Sequence, residues 1–149
     1  MRYFLDAEYN GFCGDLISVA LVPEDEALTH FYAATECAVP TPWVAEHVLP
    51  VLGSERLPLA EVADRFAQYL IDDADPLLVA DWPEDIAHAA RLLVTGPGYM
   101  KPIRSLRFEL VDPDIIGPMA PSEVPHHARH DAAALRVTML AWEKRMSRL

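Results

Sequence analysis

A chain of 149 residues with 52% apolar side chains holds enough material for one ordinary domain with a real core, which excludes a disordered chain. The net charge of −11 excludes a broad basic surface for gripping long duplexes, while leaving room for a narrow site where divalent cations reverse the local potential. No apolar run reaches membrane-spanning length, and the N-terminus starts directly with a strand-like pattern, so neither a membrane span nor a signal peptide is expected and the chain is expected to be cytoplasmic.

Residues 2–9 (RYFLDAEY) read as a strand and "NGFCG" as a glycine-bearing turn. A second apolar strand covers 15–23 and a third 28–36; the short connections predict an antiparallel meander. Residues 41–52 predict a short helix, with Thr41 as N-cap and Pro42 at its first position. In "PLAEVADRFAQYLIDD" the apolar residues at 59, 62, 63, 66, 69 and 70 form a helical stripe. Residues 76–82 read as a buried strand, and Pro83 opens another helix. A loop rich in glycine and proline leads to a fifth strand over 104–112, and a proline-rich loop over 113–125 leads to a helix from about 126 to 148. On that helix Ala128, Ala132, Leu135, Met139, Trp142 and Met146 make the apolar stripe. The expected fold class is α/β: a mixed five-stranded sheet, meander first and parallel strands after, flanked by helices. Cys13 and Cys37 show no metal-type spacing and are expected to be reduced, partly buried thiols.

The feature that asks for chemistry is the acidic pair inside the first strand. Alternate strand residues share a face and lie about 6–7 Å apart, so Asp6 and Glu8 project together while Leu5 and Ala7 face away. Two carboxylates on one face need a cation between them. An arginine and a divalent metal both meet that need, and an exposed polar edge would avoid it. A second acid, Asp131, borders the apolar stripe of the last helix, and His126 precedes it by five residues, in the approach to the helix. That offset lets a mobile imidazole reach over a site to which Asp131 is fixed. A third acid, Asp85, opens the helix after Pro83; acids favour helix N-termini on their own account, and Asp81 could serve as a simple cap.

Taken in order, "LDAEY", "WPEDI" and "HHARHDA" resemble the motifs of the DEDD superfamily of 3′–5′ exonucleases, in its histidine-containing (DEDDh) branch. "LDAEYNGFCGDLISVALV" looks especially like the small bacterial 3′–5′ exoribonucleases of that branch. The resemblance runs over essentially the whole chain. It implies a ribonuclease-H-like fold and a single exonuclease domain over 1–149. It also implies four metal-binding carboxylates, Asp6, Glu8, Asp85 and Asp131, with Asp81 as the alternative to Asp85 in the middle motif.

Those acids would hold two Mg²⁺ or Mn²⁺ ions, with zinc disfavoured by the hard oxygen donors. His126 would be the general base, an imidazole having an ordinary pKa near neutrality. His127 and His130 are expected at the surface. Tyr9 and Phe12 would lie beside the terminal nucleotide, and Arg129, Arg104 and Lys101 are candidates for phosphate contact. The implied activity is metal-dependent hydrolysis at the 3′ ends of single-stranded RNA or DNA and short oligonucleotides, by a homodimer. Two other readings stand beside it: a nucleic-acid or nucleotide-binding module of the same fold without catalysis, and a structural protein whose acids pair with arginines.

Overall fold

The computed structural model describes residues 1–148. Three antiparallel strands, β1 (Arg2–Tyr9), β2 (Leu16–Pro23) and β3 (Phe31–Thr35), open the chain. Then come α1 (Pro42–His47), a 3₁₀ turn (Leu49–Val51), β4 (Arg56–Leu57), α2 (Leu59–Leu70), β5 (Leu77–Ala80) and α3 (Pro83–Leu92). A ribbon of β6 (Val94–Gly96) and β7 (Tyr99–Met100) precedes β8 (Arg107–Leu110), α4 (Pro113–Ile116) and the long α5 (Ala128–Met146). The main sheet is mixed and six-stranded, in the order β4-β3-β2-β1-β5-β8. β5 runs parallel to β1 and β8 parallel to β5, as crossover helices require.

The sixth strand is the difference from the expected five: the two-residue β4 adds parallel to β3 at the edge, too short to carry a periodic signal. The ribbon β6–β7 was likewise hidden inside the glycine-proline loop, where Gly98 at φ +78° supplies a conformation that L side chains rarely adopt. Pro50 contributes no N–H, and the predicted 41–52 helix gives way to the 3₁₀ turn after His47. Thr41 does cap α1, its Oγ1 accepting the Val44 N–H at 3.3 Å. Cys13 is exposed rather than partly buried, because β2 starts only at Leu16 and leaves it on the turn; Cys37 is half-buried.

The alternation of β1 sorts its residues between two cores. Tyr3, Leu5 and Ala7 pack under α2 and α3, against Phe66, Leu70 and Ala89. Phe4 faces the other way, into a core made with Ala128, Ala132, Leu135 and Met139 of α5. Burying a side chain such as Leu135 contributes about 1.5–3 kcal/mol. Alanine at 128 and 132 adds little bulk between helix and sheet, so the first turns of α5 can lie close to β1. Trp142 packs at the margin of this core, whereas Met146 is exposed. No helix among the described residues is long and apolar enough to cross a membrane.

Candidate functional site

After Phe4, the next two residues of β1 on the α5 face are Asp6 and Glu8. Asp131, in the first turn of α5, comes in from above. One carboxylate oxygen from each of the three lies within 4.8 Å of the other two. Asp6 Oδ2 is shut off from solvent and has no hydrogen-bond partner. Among the described residues every ion pair engages other acids; no lysine or arginine lies within 4.0 Å of Asp6, Glu8, Asp81, Asp85 or Asp131. The acids are therefore not an arginine-paired structural cluster.

Their protons respond accordingly. Burial, then the charges of Asp85, Glu8, Asp131 and Asp81, holds the Asp6 pKa well above the usual carboxylate range. Burial and the facing Asp131 carboxylate push Glu8 up to about 8. Asp85 is pushed up to about 8 by burial and Asp81, against the opposing help of the Ala7 N–H. Asp81 is raised as well, by burial first and then Asp131. Several half-buried carboxyls that resist ionising together form a site that a divalent cation would convert to its charged form.

Asp85 itself is only 3% exposed at the start of α3, after the buried strand β5. It stands outside the set of three mutually close oxygens but lines the adjoining cavity, of about 460 Å³, together with Asp6, Glu8 and Asp81. The N-cap position of α3 belongs to Trp82, so neither acid caps that helix. Two larger cavities, of about 820 and 840 Å³, lie elsewhere and contain none of these acids.

His126 sits at the entry to α5 with φ +64°, a left-handed conformation rare outside glycine. Its N–H donates to Asp131 Oδ2 at 2.9 Å. Its ring meets Trp43 edge-on, with centroids 4.8 Å apart, and Trp43 in turn stacks flat on His47 at 4.9 Å. The backbone of this histidine is thus tied to the acid it accompanies, and the ring rests on a neighbour, more restrained than the mobile imidazole the sequence suggested.

His127 corrects the sequence reading. It is 5% exposed, stacks on Tyr32 with centroids 4.4 Å apart, and caps α5 by accepting the Arg129 N–H at Nδ1. A histidine beside a helix start reads as solvated, yet here the helix start is pressed onto β3. His130 is half-buried, with Nδ1 3.1 Å from Glu123 Oε2.

Tyr9 and Phe12 both line the cleft. The Tyr9 ring is stacked on His88 at 4.9 Å, so one of its faces is occupied, while Phe12 is 91% exposed on the turn. Arg129 is exposed beside His130, Arg104 is exposed in the loop before β8, and Lys101 pairs with Asp64; none of the three lines the acidic cleft. Trp43, Trp82 and Glu84 do line it, and sequence reasoning passed over them. The one signal for the two tryptophans was an aromatic just before or inside a helix start, in "TPW" and "DWPE". No known family model matches the chain, and no curated protein matches it.

Proposed function

We propose that this chain is a metal-dependent 3′–5′ exonuclease, acting on single-stranded RNA or DNA ends and short oligonucleotides, and that its sheet is ribonuclease-H-like. The observation that carries the reading is the three-acid cluster of Asp6, Glu8 and Asp131, with a shielded, unpartnered Asp6 oxygen and no lysine or arginine among the described residues within 4.0 Å. The three-stranded meander continued by two parallel strands supports the fold part of the reading.

The donor set fits a hard divalent cation: oxygens only, converging, and unpaired with any described lysine or arginine. Asp6, Glu8 and Asp131 would hold Mg²⁺ or Mn²⁺, with Asp85 and Asp81 on the adjoining wall available to a second ion. When bound, two such ions supply Lewis-acid stabilisation of charge developing on the scissile phosphate. His126 would take the proton of the attacking water; its backbone N–H bond to Asp131 ties the residue to the cluster's helix acid. Water adds to phosphorus as the P–O3′ bond breaks, and the departing 3′ oxygen leaves with a proton. The products are a 5′-mononucleotide and a chain one residue shorter. Exposed Phe12, Trp43 and Trp82 offer faces on which bases can stack.

The direct test incubates 5′-labelled single-stranded RNA and DNA oligomers of several lengths with Mg²⁺ or Mn²⁺. The expected result is a metal-dependent ladder of single-nucleotide steps from the 3′ end, abolished by EDTA. Inertness with both metals on every oligomer would overturn the proposal.

A further inference from the structure

The turn between β1 and β2, residues 10–15, does more than connect two strands. Asn10 Oδ1 accepts the Thr41 N–H at 2.8 Å, and Asn10 Nδ2 donates to the Val39 carbonyl at 2.9 Å. Thr41 caps α1, which carries Trp43. On the other side, the Cys13 N–H donates to Glu84 Oε1 at 2.9 Å, and Glu84 Oε2 accepts the Trp82 indole N–H at 3.2 Å. Glu84 stands in the first turn of α3, next to Asp85. The turn is thus tied at both ends, to the wall that bears Trp43 and to the wall that bears Trp82.

The turn is also tightly packed. A Cβ at Gly14 would fall 2.2 Å from the Asn10 carbonyl oxygen, and Gly11 holds φ +76° with Thr41 Cγ2 3.4 Å from the place a Cβ would occupy. At its tip Phe12 is almost wholly exposed and so forgoes the roughly 1.5–3 kcal/mol that burying such a side chain contributes. Phe12, Trp43 and Trp82 line one cavity and are each about half exposed or more. Held rigidly, three such faces can receive a ligand without first being ordered, which removes part of the entropic cost of binding.

We infer that Asn10 and Glu84 are positioning residues that bridge the two walls of the cleft through the β1–β2 turn and so set how tightly a single-stranded end is held. The inference rests on the nuclease reading, and it assigns neither residue to the chemistry. Glu84 would act through its two acceptor oxygens, so glutamine, which keeps one acceptor oxygen, should replace it in part, and alanine should not.

The experiment compares wild type, Glu84→Ala, Glu84→Gln and Asn10→Ala. Steady-state hydrolysis of a short oligomer is measured with Mn²⁺, and binding of a 3′-phosphorothioate oligomer is followed by fluorescence anisotropy. Glu84→Ala and Asn10→Ala should each raise KM and the anisotropy Kd about tenfold, with kcat and Mn²⁺ affinity within about twofold of wild type. Glu84→Gln should recover part of the loss. An unchanged KM, a fall in kcat alone, or a glutamine variant as impaired as alanine overturns the inference while leaving the nuclease reading intact. If Glu84→Ala does not fold, Asn10→Ala breaks the same bridge from its other end and decides the question. A wild type inert on all oligomers overturns the nuclease reading instead; anisotropy then still reads the bridge, and failure of the wild type to bind overturns the inference too.

Discussion

The strand β1 meets acids at both its ends, and the two ends deal with them differently. At Arg2 the guanidinium takes Glu24, through Nε at 3.1 Å and Nη2 at 2.9 Å, and also Glu143 of α5, through Nη1 and through Nη2 at 2.9 Å. That hydrogen-bonded pairing holds the Glu143 carboxyl below its ordinary range. Four to six residues along, Asp6 and Glu8 face Asp131 of the same helix, no described lysine or arginine lies within 4.0 Å of them, and the pKa values of Asp6 and Glu8 move upward. One strand and one helix thus carry two carboxylate clusters, one closed by an arginine and the other left open. Asp6 and Glu8 of the open one line a cleft, so the difference separates acids paired within the fold from acids with raised pKa values and no basic partner.

The largest expected effect is at the open end. Asp6→Asn removes a donor oxygen with little change of shape, and should cut oligonucleotide hydrolysis by on the order of 10³–10⁴-fold, about 4–5 kcal/mol of barrier. The same variant should melt higher than wild type in EDTA, by about 1–3 kcal/mol of stability, because a buried unpaired acid becomes neutral. Loss of activity together with a gain in metal-free stability marks a functional site. A variant that loses both would make Asp6 an ordinary structural residue and erase the contrast between the two ends.

His126 comes next. His126→Ala should lower kcat by on the order of 10²–10³-fold while Mn²⁺ affinity, measured by calorimetry, stays near wild type, since the Asp131 contact uses the backbone N–H. If activity is retained, the proton goes elsewhere and the histidine serves only the entry to α5.

How much of this could be read beforehand follows the range of the interactions. Period-two alternation in "RYFLDAEY" places Asp6 and Glu8 on one face, and the spacing of Ala132 and Leu135 turns Asp131 toward the same side, because both are local rules. The meander and the parallel later strands follow from short loops against helical crossovers. Two-residue strands such as Arg56–Leu57 and Tyr99–Met100 exist only because a neighbour pairs with them, so nothing local announces them. Burial of His127 depends on Tyr32, which lies 95 positions away, and the bridge through Glu84 and Cys13 spans 71. The aromatic rim was invisible for a related reason: an exposed tryptophan and a core tryptophan look alike until the surface is known.

The pH response should separate the two ends again, with a smaller effect. In EDTA, Glu8 titrates near 8 when folded against an ordinary 4.5, and Asp85 near 8 against 3.8. A raised carboxyl favours folding fully below its ordinary value and loses that contribution as pH rises through about 8. The metal-free protein should therefore melt progressively lower from pH 5 to pH 8.5. Saturating Mn²⁺ should flatten or reverse the trend, because the ion favours the ionised acids. Glu143 runs the other way: its contribution is present above its ordinary 4.5 and disappears as pH falls through its lowered folded value. A melting temperature independent of pH in EDTA would mean the open cluster is already neutralised.

The smallest effect belongs to the closed end. Arg2→Met keeps an apolar stem over Phe4, whose ring lies 5.3 Å from the guanidinium carbon, and removes the charge that joins Glu24 and Glu143. The two acids stay 45% and 36% exposed, so water screens much of the loss, and about 1–2 kcal/mol of stability is expected to go. For a chain of this length that is a fall of about 2–8 °C in melting temperature, narrowing at high salt. Hydrolysis should be unchanged, because Arg2 and Glu8 are separated by about 20 Å of extended strand. A loss of activity approaching that of Asp6→Asn would show that the clusters act as one electrostatic unit along β1, and that closing one end is a condition for leaving the other open.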